Sequence, residues 1–139
     1  MDGSLESVRA LLDAPSPAVL TTYRRDGTAL VSPVWFRFAG GVFEVVIAED
    51  DIKLVHLNRD PRCALLVFEA VPPFRGVEVR DEPELVWRDV TAVRRSIACR
   101  YLGEEAGQRF AEQRSVPGVL LRLFPKTPRI WDLSGILPD

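Results

Sequence analysis

Hydrophobic and polar positions change their period several times along the chain, and each change marks an element. In "SLESVRALLD", Leu5, Val8, Leu11 and Leu12 recur at three- and four-residue steps. That spacing puts them on one stripe of an amphipathic helix, with Ser4 as its N-cap and "APSP" as its stop. "AVLTTYRR" then predicts a strand, and "RDGT" a turn with Asp-Gly at its centre. "ALVSPVWFRF" predicts a second strand. Its Pro33 cannot donate to a ladder and belongs at an edge or a bulge. "AGG" turns the chain into a third strand, "VFEVVIA". The three strands are most simply a meander of two hairpins.

A short helix over Ile52–Arg59 follows, and "DPR" stops it, because a residue before proline is pushed out of the helical region. "CALLVFEA" is a continuous apolar strand, and "VPPF" breaks the chain after it. "RGVEVRDEPELVW" alternates apolar and charged positions, which predicts one strand with a wet face and a bulge at Pro83. Asp89 is placed to cap "VTAVRRSIACRYL", which ends at Gly103. "EEAGQRFAEQR" is a second, polar helix, and "GVLLRLFP" and "PRIWDLS" finish the chain as strands. The sum is a mainly β chain of six to seven strands. Local antiparallel pairing favours a closed or nearly closed barrel, which removes exposed edges. Strands and helices do not alternate, which argues against a doubly wound parallel sheet. The expectation is one domain over residues 1–139, with an N-terminal helix and a helical insertion around 89–115.

Composition narrows the functional classes. The chain has 139 residues, 47% hydrophobic and 27% charged, enough to bury a core without disulfides or metals. A net charge of -2 gives no general attraction to nucleic acid or to an anionic membrane. The first residues, "MDGSLESVRALLDAPSP", lack a basic region followed by an apolar block. With two separated cysteines, Cys63 and Cys99, read as reduced and mostly buried, this predicts a cytoplasmic protein. A single histidine, His56, makes a His-based metal site improbable and is read as a packed core residue.

Four segments in order carry a resemblance. They are "PAVLTTYRRDGTALVSPVWFRF", "VVIA" followed by Lys53 and "NRDPR", "VEVRDEPELV", and the closing "RIWDLSG". Together they resemble the pyridoxamine 5'-phosphate oxidase-like proteins, or FMN-binding split barrels, which include small flavin/deazaflavin oxidoreductases. The resemblance runs from about Ala18 to Gly135. It implies a split β-barrel and a homodimer with cofactor sites at the interface. It also implies FMN or coenzyme F-420 as cofactor, and hydride transfer to a small planar acceptor. Pyridoxamine-phosphate oxidation itself is not implied, because the chain is shorter than those enzymes and lacks their arginine-rich C-terminal substrate motif. Two alternatives stay open: a cofactor carrier without turnover, and a dimeric barrel that has lost its cofactor.

Carried over by position, the resemblance places Val31, Ser32, Pro33, Val34 and Trp35 on one side of the cofactor ring, and Val46, Ile47 and Ala48 on the other. Lys53 matches the lysine that contacts the cofactor phosphate. Trp131 matches a C-terminal aromatic near the site. No residue is singled out as a catalytic acid or base. The departures lie beside Lys53. Related sequences often carry arginine or serine just before it, and an arginine and an asparagine shortly after. Here Asp50 and Asp51 precede it. A like-charge contact near 4 Å costs roughly 1 kcal/mol in water and roughly 4 at an effective dielectric of 20. Asp81 and Pro83 depart from the family pattern too, and Arg75 and Arg80 are candidate replacements for the lost charge.

Overall fold

The computed structural model describes residues 4–114 and 116–139. A 3-10 turn over Leu5–Val8 leads into α1 (Arg9–Asp13), so the predicted first helix is real but half of it is wound more tightly. Strand β1 (Ala18–Tyr23) buries Ala18, Leu20 and Thr22 on one face and pairs with β2 (Ala29–Val34). The hairpin turns at Asp26-Gly27, where Gly27 takes φ +87°, a conformation open to glycine.

Two segments read as single strands are each two. β2 runs straight through Pro33 and stops at Val34, and β3 (Arg37–Ala39) starts in the other sheet with β4 (Val42–Ala48). The corner falls at Trp35-Phe36 because Phe36 turns fully into the core. Pro33 is tolerated because β2 is a sheet edge. In the same way β6 (Gly76–Asp81) and β7 (Glu84–Val86) belong to different sheets, and Glu82-Pro83 is the corner rather than a bulge. The remaining elements are α2 (Ile52–Arg59), β5 (Cys63–Phe68), α3 (Thr91–Leu102), α4 (Glu104–Gln113), β8 (Gly118–Leu123) and β9 (Arg129–Trp131).

The strands form two antiparallel sheets, ordered β2-β1-β5-β6-β9 and β3-β4-β8-β7. This is the mainly β, split-barrel architecture the sequence predicts. The inner faces share one core, which includes Leu20, Phe43, Leu65, Val77 and Leu121, and α1 and α2 add Leu12 and Leu57 to it.

Helix α3 is tied down by its arginines and its tyrosine. Arg100 donates to the carbonyls of Asp13 (3.1 Å), Ala14 (2.8 Å) and Leu12 (3.4 Å), and to that of Phe36 (3.1 Å). It thereby satisfies the carbonyls that the C-terminal end of α1 leaves unpaired. Tyr101 donates its hydroxyl proton to the Ser16 carbonyl at 2.9 Å and accepts from the Phe36 amide at 3.3 Å. Arg37 donates to the Ser96 hydroxyl at 3.1 Å, which fastens the same helix to β3.

Candidate functional site

The sheet-to-sheet corner at Trp35 leaves a cleft between the end of β2, the end of β4 and the insertion α3–α4. Its volume is about 240 Å³. Pro33, Val34 and Trp35 form one apolar wall and Val46, Ile47 and Ala48 the other. Asp51 and Lys53 close the α2 end, while Arg94, Ile97, Phe110, Arg114 and Val116 come from the insertion and its exit. Pro33, Val34, Trp35, Phe110 and Arg114 also border a second, more apolar hollow of about 780 Å³. That hollow extends the cleft over Pro15, Pro17, Phe68 and Tyr101.

The aromatic wall is fixed from behind. The Trp35 ring stacks on Tyr101 at 5.2 Å and 10°, and meets Phe110 at 5.2 Å and 51°. Because Tyr101 is itself held by two hydrogen bonds, the indole is positioned by α3 and α4 and not only by its own strand.

The α2 corner is occupied by the protein's own carboxylate. Asp51 is the N-cap, and its Oδ1 accepts from the Lys53 amide at 2.8 Å. The same carboxylate pairs with Lys53 Nζ at 3.2 Å. A helix start with an adjacent cation would otherwise suit a phosphate. Here the amide and the ammonium are both engaged by Asp51. Glu49 and Asp50 are exposed and take no part in the cap. His56, three residues on, faces the core: it is 8% exposed, with Nδ1 3.0 Å from the hydroxyl of buried Thr22.

The insertion supplies cations of a different kind. Arg94 donates to the Arg114 carbonyl at 3.0 Å, and the Arg114 guanidinium lies 5.8 Å from the Phe110 ring. Neither guanidinium has a carboxylate within 4.0 Å among the described residues. Burial pulls Arg94 below the usual arginine range, the Arg114 cation adds to this, and Asp89 works against it. An anion in the cleft would act in the same direction as Asp89 and offset both.

Of the positions singled out from the sequence, Pro33, Val34, Trp35, Val46, Ile47, Ala48 and Lys53 all line this cleft. Val31 and Ser32 lie on β2 but outside it, and Val31 is 59% exposed on the sheet edge. Trp131 also lies outside it, on β9, with its indole packed over Gly76 and the Arg129 guanidinium 4.6 Å from the ring. Arg75 and Arg80, the candidate replacements for lost charge, are spent elsewhere. Arg75 pairs with Glu69 at 2.8 Å and Arg80 with Glu78 at 3.2 Å. The residues missed were Arg94 and Arg114. A helical signal for the first exists: Arg94 precedes Ile97 by three residues, which puts it on the face that Ile97 buries.

The cleft therefore offers a cationic end and flat apolar walls. It can hold an elongated ligand with an anionic head and a planar body. Among the described residues no cluster of His, Cys, Asp and Glu is built to hold a metal ion, and no helix is long and apolar enough to cross a membrane.

Comparison with known proteins adds the family. The model for pyridoxamine 5'-phosphate oxidase matches residues 4–132. A search of curated protein sequences finds no match. Among solved structures, a conserved hypothetical protein from Mycobacterium tuberculosis superposes with a TM-score of 0.82 at 23% identity, covering 98% of this chain and 89% of that one. An F-420 reductase gives 0.71 at 25% identity, with 92% and 97% covered. An FAD-binding protein from Mesorhizobium loti gives 0.65 at 17% identity, with 91% of each chain covered. The chain belongs to the pyridoxamine 5'-phosphate oxidase family.

Proposed function

We propose that this protein binds a phosphorylated flavin or deazaflavin, FMN or coenzyme F-420, and acts as an oxidoreductase on a small planar acceptor. The observation that carries the reading is the cleft itself. It joins two apolar walls, Pro33–Trp35 and Val46–Ala48, to a cluster of three cations, Lys53, Arg94 and Arg114. A tricyclic ring needs the first and a phosphate needs the second. The F-420 reductase and the FAD-binding protein, similar in fold, support the same class of ligand.

When bound, the coenzyme would supply the hydride, and the chain's residues bind and orient it. The Trp35–Tyr101–Phe110 cluster keeps the ring wall rigid and helps to exclude water. Among the described residues Asp51 is the only carboxylate lining the cleft, and it is committed to the α2 cap and to Lys53. Protons needed by the acceptor would then come from solvent.

The reading includes a homodimer in cytoplasm, with the partner completing each site. The open edge of β2, where Val31 is 59% exposed, supports that arrangement. The engagement of Lys53 by Asp51 favours the second reading, a barrel that has lost its cofactor.

Fluorescence titration of the purified protein with FMN and with coenzyme F-420, together with sedimentation of the bound and unbound states, decides between them. Micromolar or tighter binding of one coenzyme by a dimer is the expected result. No binding of either coenzyme up to millimolar concentration contradicts the oxidoreductase reading.

A further inference from the structure

We infer that the anion subsite of this cleft has moved off the start of α2 and onto the helical insertion, where Arg94 and Arg114 bind a terminal phosphate and Lys53 contributes little. The inference rests on the proposed reading for the identity of the whole ligand, but not for the subsite, which a simple phosphate can probe.

Three observations carry it. First, charge is balanced at one place and unbalanced at the other. Lys53 Nζ already has the Asp51 carboxylate at 3.2 Å, and Asp51 also takes the Lys53 amide at 2.8 Å. An incoming phosphate there would displace one carboxylate or stand beside it. Arg94 and Arg114 have no carboxylate within 4.0 Å among the described residues, yet both border the cleft. A phosphate monoester carries about -1.5 to -2 near neutral pH, which two guanidinium groups neutralise.

Second, Arg94 is held in place without being neutralised. Its Nη1 donates to the Arg114 carbonyl at 3.0 Å. This bond fixes the guanidinium and leaves its other N–H donors for a ligand.

Third, the strand beneath makes room for it. A Cβ on Gly118 would stand 2.9 Å from Arg94 Nη2, 2.9 Å from Val90 Cγ2 and 3.2 Å from the Ile47 carbonyl. No left-handed backbone conformation requires glycine at this position. What the glycine provides is space: the guanidinium rests over the first residue of β8, next to Ala48 in register. Gly118 is thus a positioning residue for Arg94.

The test compares FMN with riboflavin, which is the same ring system without the phosphate. Both are titrated by fluorescence against the wild type and the variants Arg94→Gln, Arg114→Gln, Lys53→Gln and Gly118→Ala. Circular dichroism establishes that each variant is folded. The wild type should prefer FMN over riboflavin, and Arg94→Gln and Arg114→Gln should each cut that preference tenfold or more. Riboflavin affinity should be unchanged. Gly118→Ala should give a smaller loss of the same kind, and Lys53→Gln less than threefold. Loss of the preference in Lys53→Gln, with both arginine variants unaffected, would overturn the inference and leave the proposed function standing.

Inorganic pyrophosphate gives the independent arm. It should raise the melting temperature of the wild type in a concentration-dependent way, and not that of Arg94→Gln. That result, with no binding of either flavin, would support the subsite and contradict the flavin reading. An equal shift in both proteins would overturn the subsite.

Discussion

The start of α2 and the base of the α3–α4 insertion face one cleft, and both carry basic side chains. They differ in what those side chains already touch. At α2, one carboxylate caps the helix and holds the Lys53 ammonium. At the insertion, a guanidinium leans on a carbonyl, which orients it without cancelling its charge. The α2 corner nets to zero, Lys53 against Asp51, whereas Arg94 and Arg114 bring two positive charges to the other. Asking which cations already have a carboxylate separates them. A carboxylate partner cancels the long-range field of a cation, whereas a carbonyl dipole leaves most of it intact.

The largest contrast lies between two arginines of one helix. Arg100 lies six residues after Arg94 and spends its donors on four carbonyls of α1, its exit and the β2–β3 corner. Arg100→Ala should destabilise the fold by about 2–3 kcal/mol, since it leaves several carbonyls unsatisfied. Arg94→Ala should cost about 1 kcal/mol or less, because it loses one such bond. Urea unfolding of the two variants gives both numbers. Equal losses would mean that Arg94 is structural in the same sense as Arg100.

Next in size is the α2 cap. Asp51→Ala removes the acceptor for the Lys53 amide and should cost about 1 kcal/mol. Asp51→Asn keeps that acceptor and should change stability by less than about 0.5 kcal/mol, since Asn and Asp cap about equally well. Asn also releases Lys53 from its ion pair, yet phosphate or FMN affinity should change less than about threefold, because the anion subsite lies on Arg94 and Arg114. Tightening of about tenfold or more in Asp51→Asn would show that the α2 corner still takes the anion.

The smallest effect concerns a third spent arginine. Arg75 holds the Glu69 carboxyl down to about 2 from its ordinary 4.5, chiefly by hydrogen bonding from its side chain. The folded-state value is depressed, so this contribution is complete above about pH 4.5 and is lost as pH falls towards about 2. In Glu69→Gln the unfolding midpoint should therefore vary less with pH across that window than in the wild type. Parallel curves would show that the pair contributes nothing to stability.

Much of this was legible in the chain. Period changes located seven strand segments, the Asp-Gly turn and the α2 cap, because those features are written within a few residues of one another. The corners were not legible. "VSPVWFRF" runs apolar through its break and "VRDEPELV" resumes apolar residues after its break, so neither marks a change of sheet, which is imposed by packing: Phe36 must enter the core while Trp35 meets Tyr101, 66 residues later. Proline misled in one case and not in the other. Pro33 sits in the expected edge strand, whereas Pro83 is the case that misled: expected at a bulge, it marks a corner between sheets. The missed part of the site has the same cause. Lys53, Arg94 and Arg114 meet only through tertiary structure, and "TAVRRSIACRYL" offers three arginines of which helical geometry gives each a different neighbourhood.

The most direct test is a crystal structure of the protein with FMN bound. The account predicts phosphate oxygens within about 3 Å of the Arg94 and Arg114 guanidinium groups. It also predicts the ring between Pro33–Trp35 and Val46–Ala48, and the Asp51–Lys53 pair intact. A phosphate seated on Lys53 and the α2 amides, with Asp51 displaced and Arg94 turned away, would contradict it.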